Sequence, residues 1–148
     1  MTDIAHSAHL APGVSQLPVS LYFDERIFAE EKRLLFDGGP GYVGHELMVP
    51  EIGQYRTLEA HDHAFMLVRG EQGVQRLSNV CRHRQAIMLQ GSGRADNIVC
   101  PLHRWTYDMD GALIGAPHFD QQPCANLRRD TLQAWNGLLF AGPRPIAE

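Results

Sequence analysis

Apolar and polar positions repeat with two different periods along this chain. Between residues 25 and 36, Ile27, Phe28, Leu34 and Leu35 share one helical stripe, while Glu30, Glu31, Lys32 and Arg33 lie elsewhere. Asp24 stands where an N-cap belongs, and Gly38-Gly39-Pro40 cannot continue a helix, so the spacing predicts one helix over residues 25–36. From residue 41 the pattern changes to short runs separated by turn residues, as expected of an all-β domain. Residues 64–69 and 74–80 flank Gly70-Glu71-Gln72-Gly73 and read as a hairpin. A strand at 97–99 runs straight into Cys100, residues 105–108 pair with 112–114 around Met109-Asp110-Gly111, and 137–141 form the last strand. There is no internal repeat. Residues 1–19 lack periodicity and read as a flexible arm, 20–40 as a helical lead-in, 41–142 as the main domain, and 143–148 as a linker or tail.

Composition narrows the function classes. A 148-residue chain is the size of one domain and buries roughly two-thirds of its unfolded surface without disulfides. A formal charge of −4 gives no footprint for nucleic acid. The longest apolar run, Ala64-Phe65-Met66-Leu67-Val68, is far short of a membrane span, and no signal-peptide pattern opens the chain. A soluble protein of the reducing cytoplasm, acting at no membrane, is expected; the odd count of three cysteines favours metal binding over a disulfide framework.

The chemistry concentrates in Cys81-Arg82-His83 and Cys100-Pro101-Leu102-His103, each a thiolate and an imidazole at close spacing beside a strand end. Two cysteines and two histidines are the inventory of a Rieske [2Fe–2S] centre, in which the cysteines hold one iron and the histidines the other. Mixing one of each in both loops lets every loop reach both irons. The same four residues also suit a Cys2His2 zinc site, although zinc fingers place like ligands together. An inert core cysteine and satisfied histidines are the third reading.

Two longer stretches sharpen the choice. Leu77-Ser78-Asn79-Val80-Cys81-Arg82-His83-Arg84 and Cys100-Pro101-Leu102-His103-Arg104-Trp105-Thr106-Tyr107-Asp108-Met109-Asp110-Gly111 resemble the two cluster loops of the Rieske family. With Tyr42-Val43-Gly44-His45 and Gly115-Ala116-Pro117-His118-Phe119, the chain more closely resembles the N-terminal part of the large subunit of Rieske non-haem iron (ring-hydroxylating) oxygenases, over residues 20–142. The resemblance implies a Rieske fold of small antiparallel sheets with a cluster-binding subdomain, preceded by one N-terminal α-helix. It implies a [2Fe–2S] cluster on Cys81, His83, Cys100 and His103, with Arg82, Arg84, Arg104, Trp105, Tyr107 and Pro117 around it. It further implies a reductase or ferredoxin as electron donor, a mononuclear non-haem iron domain as acceptor, and a homotrimer. The chain departs from the family at Gln85 and Arg104, where glycine is usual, and at Leu102, where an aromatic is frequent; a modified loop conformation or docking face is the expectation there.

Against the Rieske proteins of cytochrome bc complexes, Ala86 and Leu102 replace two bridging cysteines, and Trp105 replaces a serine that donates to sulfur, whereas Tyr107 keeps the second donor. Fewer bonds to sulfur place the potential in the lower part of the roughly −150 to +300 mV Rieske range, falling as alkaline pH rises. The three loop arginines temper this, and read equally as docking groups or as solvated charge. Elsewhere, His6 and His9, and His61 with His63, lack a third ligand and read as surface histidines. His118 can line the cover of the site, Cys124 reads as a small buried residue, and Trp105 and Trp135 as core. No stretch resembles the Asp-x2-His-x4-His motif of the oxygenase iron. The chain alone therefore passes electrons and hydroxylates nothing. An independent Rieske ferredoxin and a cluster-bearing redox sensor or binding module are the alternatives.

Overall fold

The structure is a computed structural model that describes residues 18–146. His6, His9 and nearly all of the expected arm lie outside the described residues. A 3-10 turn, Val19–Phe23, leads into helix α1, Glu25–Glu31. Asp24 caps α1 as its position predicts: its carboxylate accepts from the backbone N–H groups of Arg26 at 2.9 Å and Ile27 at 3.4 Å. The expected helix is cut short at Lys32, where Lys32–Phe36 widens into a π turn closed by Asp37 N–H on the Lys32 carbonyl. Neither α1 nor the turns flanking it buries a residue. The stripe of Phe28, Leu34 and Leu35 faces outward, as do Tyr22 and Phe23, the last 81% exposed.

Among the described residues eleven strands follow: β1 Gly41–His45, β2 Gln54–Thr57, β3 Phe65–Gly70, β4 Gly73–Ser78, β5 Ser92–Arg94, β6 Ile98–Val99, β7 Thr106–Tyr107, β8 Leu113–Gly115, β9 Arg129–Asp130, β10 Leu132–Trp135 and β11 Leu138–Ala141. They form three sheets, ordered β1-β11-β10, β5-β2-β3-β4-β9 and β6-β7-β8, with every pairing antiparallel. The all-β class expected from the turn spacing is what is found. The expected hairpin is β3–β4, with Gly70 paired to Gly73 around Glu71-Gln72. The segment Gly91-Ser92-Gly93, expected as loop, instead contributes edge strand β5.

Strand β3 sits at the centre of the five-stranded sheet and is buried on both faces, which accounts for its unbroken apolar run. Met66 and Val68 enter the larger core with Leu77, Ile98, Tyr107 and Leu113. Leu67, on the opposite face, packs with Val49 and Leu139 in a smaller core. Short β9 is tied to β4 by the ion pair of Arg76 with Asp130, at 3.0 Å and largely screened from solvent, and the Arg76 guanidinium lies 4.0 Å over the Phe65 ring. Two expected core residues are outside: Trp135, on a strand of the small outer sheet, is 56% exposed, and Cys124 is an exposed free thiol in the irregular segment before β9. Among the described residues no helix is long and apolar enough to cross a membrane.

Candidate metal centre

Two loops project from the larger core, residues 81–86 after β4 and residues 100–105 between β6 and β7. They are built alike. The N–H of each leading cysteine donates to the carbonyl five residues on, Cys81 to Ala86 at 2.9 Å and Cys100 to Trp105 at 2.8 Å. Each cysteine carbonyl accepts from the N–H four residues on, that of Gln85 at 3.0 Å and of Arg104 at 3.1 Å. Such a turn closes with its last residue in the left-handed region, as a helix does at its C-terminus, and this is why glycine suits the position. Gln85 and Arg104 occupy it with φ of 56° and 60°. At both positions the side chain bears the cost of a left-handed backbone.

The loops bring the two Cys/His pairs together. Cys81 and Cys100 are buried in the larger core, and neither is in a disulfide. His83 and His103 are half-buried, their rings edge to face at 4.7 Å. Trp105 stacks on His83 at 5.0 Å with the planes 8° apart, and Phe119 meets both rings edge-on at 6.0 and 5.3 Å. Nδ1 of His83 is buried with no hydrogen-bond partner. Desolvation, then the charges of His103 and Arg84, hold the His83 imidazole below its ordinary pKa, a shift toward the neutral ring that ligation requires. An orphaned ring nitrogen, two buried thiols and a second imidazole are a donor set that fits a cluster with mixed Cys/His ligation.

The surroundings fix this set. The Tyr107 hydroxyl, fully buried, accepts from Arg82 N–H at 3.2 Å and lies 3.7 Å from Cys81 Sγ. Burial, with the Cys81 sulfur also raising it, pushes the phenol well above its usual range, so it keeps its proton and can aim it at the sulfur. Asn79, fully buried at the foot of the first loop, donates from Nδ2 to the carbonyls of His63 and Leu89, both at 2.8 Å, and accepts from Leu89 N–H at 2.9 Å. Nothing in the chain marks Asn79 apart from its place two residues before Cys81. Phe119 was equally hard to foresee: 47% exposed, it lies edge-on to His83 and Trp105, while His118, expected to line the cover, and Pro117 are exposed. His63 is engaged with Thr57, Nδ1 to Oγ1 at 3.1 Å. Arg82, Arg84 and Arg104 are exposed and make no ion pair to an acid among the described residues.

Antiparallel sheets presenting two matched Cys/His loops define the iron–sulfur class of small β domains. The chain belongs to the Rieske [2Fe–2S] domain family, whose model matches residues 40–130. A [2Fe–2S] cluster is the cofactor of that family, which settles the earlier choice against zinc. The chain is 60% identical to putrescine 2-hydroxylase of Ralstonia nicotianae over 146 residues, covering 99% of this chain and 40% of that protein. It is 40% identical over 106 residues to the glycine betaine monooxygenase oxygenase subunit of Chromohalobacter salexigens, covering 70% of this chain and 24% of that one. In three dimensions it resembles naphthalene 1,2-dioxygenase from Rhodococcus sp., with TM-score 0.72 and 28% identity over 89% of this chain and 32% of the other. The chain spans about two-fifths of the length of its putrescine hydroxylase relative.

Proposed function

We propose that Cys81 and Cys100 hold one iron and His83 and His103 the other, and that the domain passes single electrons to a mononuclear non-haem iron on another domain or subunit of a hydroxylating oxygenase. The observation that supports this reading is the pair of matched loops, each led by a buried thiol, whose imidazoles meet edge to face at 4.7 Å. When bound, the cluster supplies reversible one-electron exchange. Tyr107 donates toward Cys81 Sγ and favours the more negative reduced state. Trp105, buried and stacked on His83, keeps water from that face of the ring, while the outward imidazole edges face the partner. Residues 41–142 form the Rieske domain, 20–40 its lead-in, 1–19 an arm and 143–148 a linker. The donor is a reductase or ferredoxin, the assembly a homotrimer, and the compartment the cytoplasm, where Cys81, Cys100 and Cys124 stay reduced.

Identity of 60% to a putrescine 2-hydroxylase over nearly the whole chain supports a small aliphatic amine as the substrate class of the complete oxygenase, with putrescine first among candidates. Two measurements test the proposal. The reduced, purified protein should give the rhombic EPR signal of mixed Cys/His ligation, lost in Cys81→Ser and His103→Ala; a colourless, zinc-loaded protein would refute it. The longer polypeptide containing this domain, given a reductase and oxygen, should hydroxylate putrescine, and failure with putrescine alongside turnover of another substrate removes the amine assignment only.

A further inference from the structure

The segment between β8 and β9 reaches the candidate centre from outside its two loops. Residues 116–128 form neither helix nor strand. Within them Phe119 stands nearly perpendicular to the stacked rings of His83 and Trp105, at 89° and 82°. Rings meeting edge-on at 6.0 and 5.3 Å are in contact and leave no space for water between them. His118, one residue earlier, lies in the left-handed region with φ of 70°, which a side chain other than glycine keeps only where its surroundings hold it.

Two side-chain amides hold this strap. Strand β8 is the edge of its sheet. The Leu113 N–H donates to Asn126 Oδ1 at 2.9 Å, and the Leu113 carbonyl accepts from Gln122 Nε2. A neighbouring antiparallel strand would offer the same pair, one acceptor and one donor. Both amides are forced to point one way, because an N–H takes only an acceptor and a carbonyl only a donor. Leu127, next to Asn126, is buried in the larger core and donates from its N–H to the Gly111 carbonyl at 2.8 Å. The residue so clamped, Leu113, pairs in turn with Tyr107, whose hydroxyl lies beside Cys81.

We infer that Gln122 and Asn126 are positioning residues for electron transfer: by clamping the strap to Leu113 they seat Phe119 on His83 and Trp105, and so set how readily the centre accepts an electron. The inference rests on the proposed ligand set. Two ferric ions, two sulfides, two thiolates and two neutral imidazoles carry no net charge, so reduction adds one negative charge to a neutral site. Water beside a ligand ring favours the charged form. A clamped Phe119 withholds that water and keeps the potential low, and a released one admits it.

The test is a redox titration of the cluster-loaded protein, with hydrogen exchange over residues 113–119 followed in the same samples. Phe119→Ala should shift the one-electron equilibrium about threefold toward the reduced form, which is about 28 mV. Phe119→Leu, which keeps an apolar side chain there, should recover most of the shift. Gln122→Ala and Asn126→Ala should move the midpoint the same way, with faster exchange of the Leu113 N–H. A charge-matched pair separates the clamp from a field effect. Asn126→Asp keeps the acceptor for the Leu113 N–H, whereas Gln122→Glu sets a carboxylate against the Leu113 carbonyl. Each adds one negative charge, yet Gln122→Glu should stand about threefold further toward reduction than Asn126→Asp. Gln122→Ala added to Phe119→Ala should shift nothing more, because both act through one ring.

Phe119 is half-exposed, so Phe119→Ala decides the matter even where an anchor variant fails to fold. An unchanged or lowered midpoint in that variant overturns the inference. So do equal midpoints in the charge-matched pair, additive shifts in the double variant, or fast exchange at Leu113 with the midpoint of the unsubstituted protein. Absence of the rhombic EPR signal from the unsubstituted protein would overturn the ligand assignment first, and this inference with it.

Discussion

Asn79 is the residue on which the first loop is hung. Removing its amide leaves the Leu89 N–H and two carbonyls without partners in a fully buried place, at a cost of about 1–3 kcal/mol for each unpaired group. Asn79→Leu should therefore destabilise the protein by about 3 kcal/mol or more in denaturant unfolding. Tyr107→Phe probes a different quantity. Loss of one hydrogen bond to Cys81 Sγ, worth about 1 kcal/mol, should lower the midpoint potential by about 40 mV for one electron, with fold and colour retained. Gln85→Gly and Arg104→Gly should each stabilise the protein. Relief of a left-handed side chain is worth about 1–2 kcal/mol, offset by about 0.4–1 kcal/mol of added freedom in the unfolded chain. A net rise in unfolding free energy is expected for both, and a fall would show that their side chains hold the loops. At this scale the four candidate ligands were legible because spacing and residue type are local properties. Asn79 and Phe119 were not. Their partners lie on other segments, and only the folded chain sets Phe119 against His83.

Elements were legible where turn chemistry and burial agree. The β3–β4 hairpin and the strand pair after Cys100 are bounded by residues that tolerate tight turns, and both appear within a residue or two of their expected limits. Strand β10 went unnamed although Asn136-Gly137, with φ of 49° and 82°, is the two-residue turn that joins it to β11. Its exposed Trp135 interrupts the alternation that would have disclosed it. Gly137 is fixed twice over, because a Cβ there would lie 2.7 Å from the His45 ring. Gly137→Ala should cost about 2 kcal/mol or more in thermal unfolding, and His45→Ala in the same chain should recover the steric part while leaving the strained φ. The helix was legible at its cap and not at its end, since no residue between 32 and 36 announces a π turn.

On the scale of the molecule, the five-stranded sheet serves two cores at once, and the candidate centre belongs to the larger. The smaller core lies on the other face of β3, so a cavity made at Leu67 is expected to lower stability by about 2–5 kcal/mol while sparing the EPR line shape. The same cavity at Met66 should disturb both. Function at this scale was legible through the loops, because their ligand types and spacing are local. The lead-in is the opposite case. Its cap holds it in shape, yet among the described residues Phe23, Phe28 and Leu35 stay exposed. A seven-residue helix without packed side chains is marginal on its own. Its amide hydrogens should exchange with solvent deuterium almost as fast as those of an unfolded peptide, while those of β3 wait for global opening. Slowed exchange confined to residues 25–36 would then time the arrival of whatever covers that face, and would do so without a label or a change in colour.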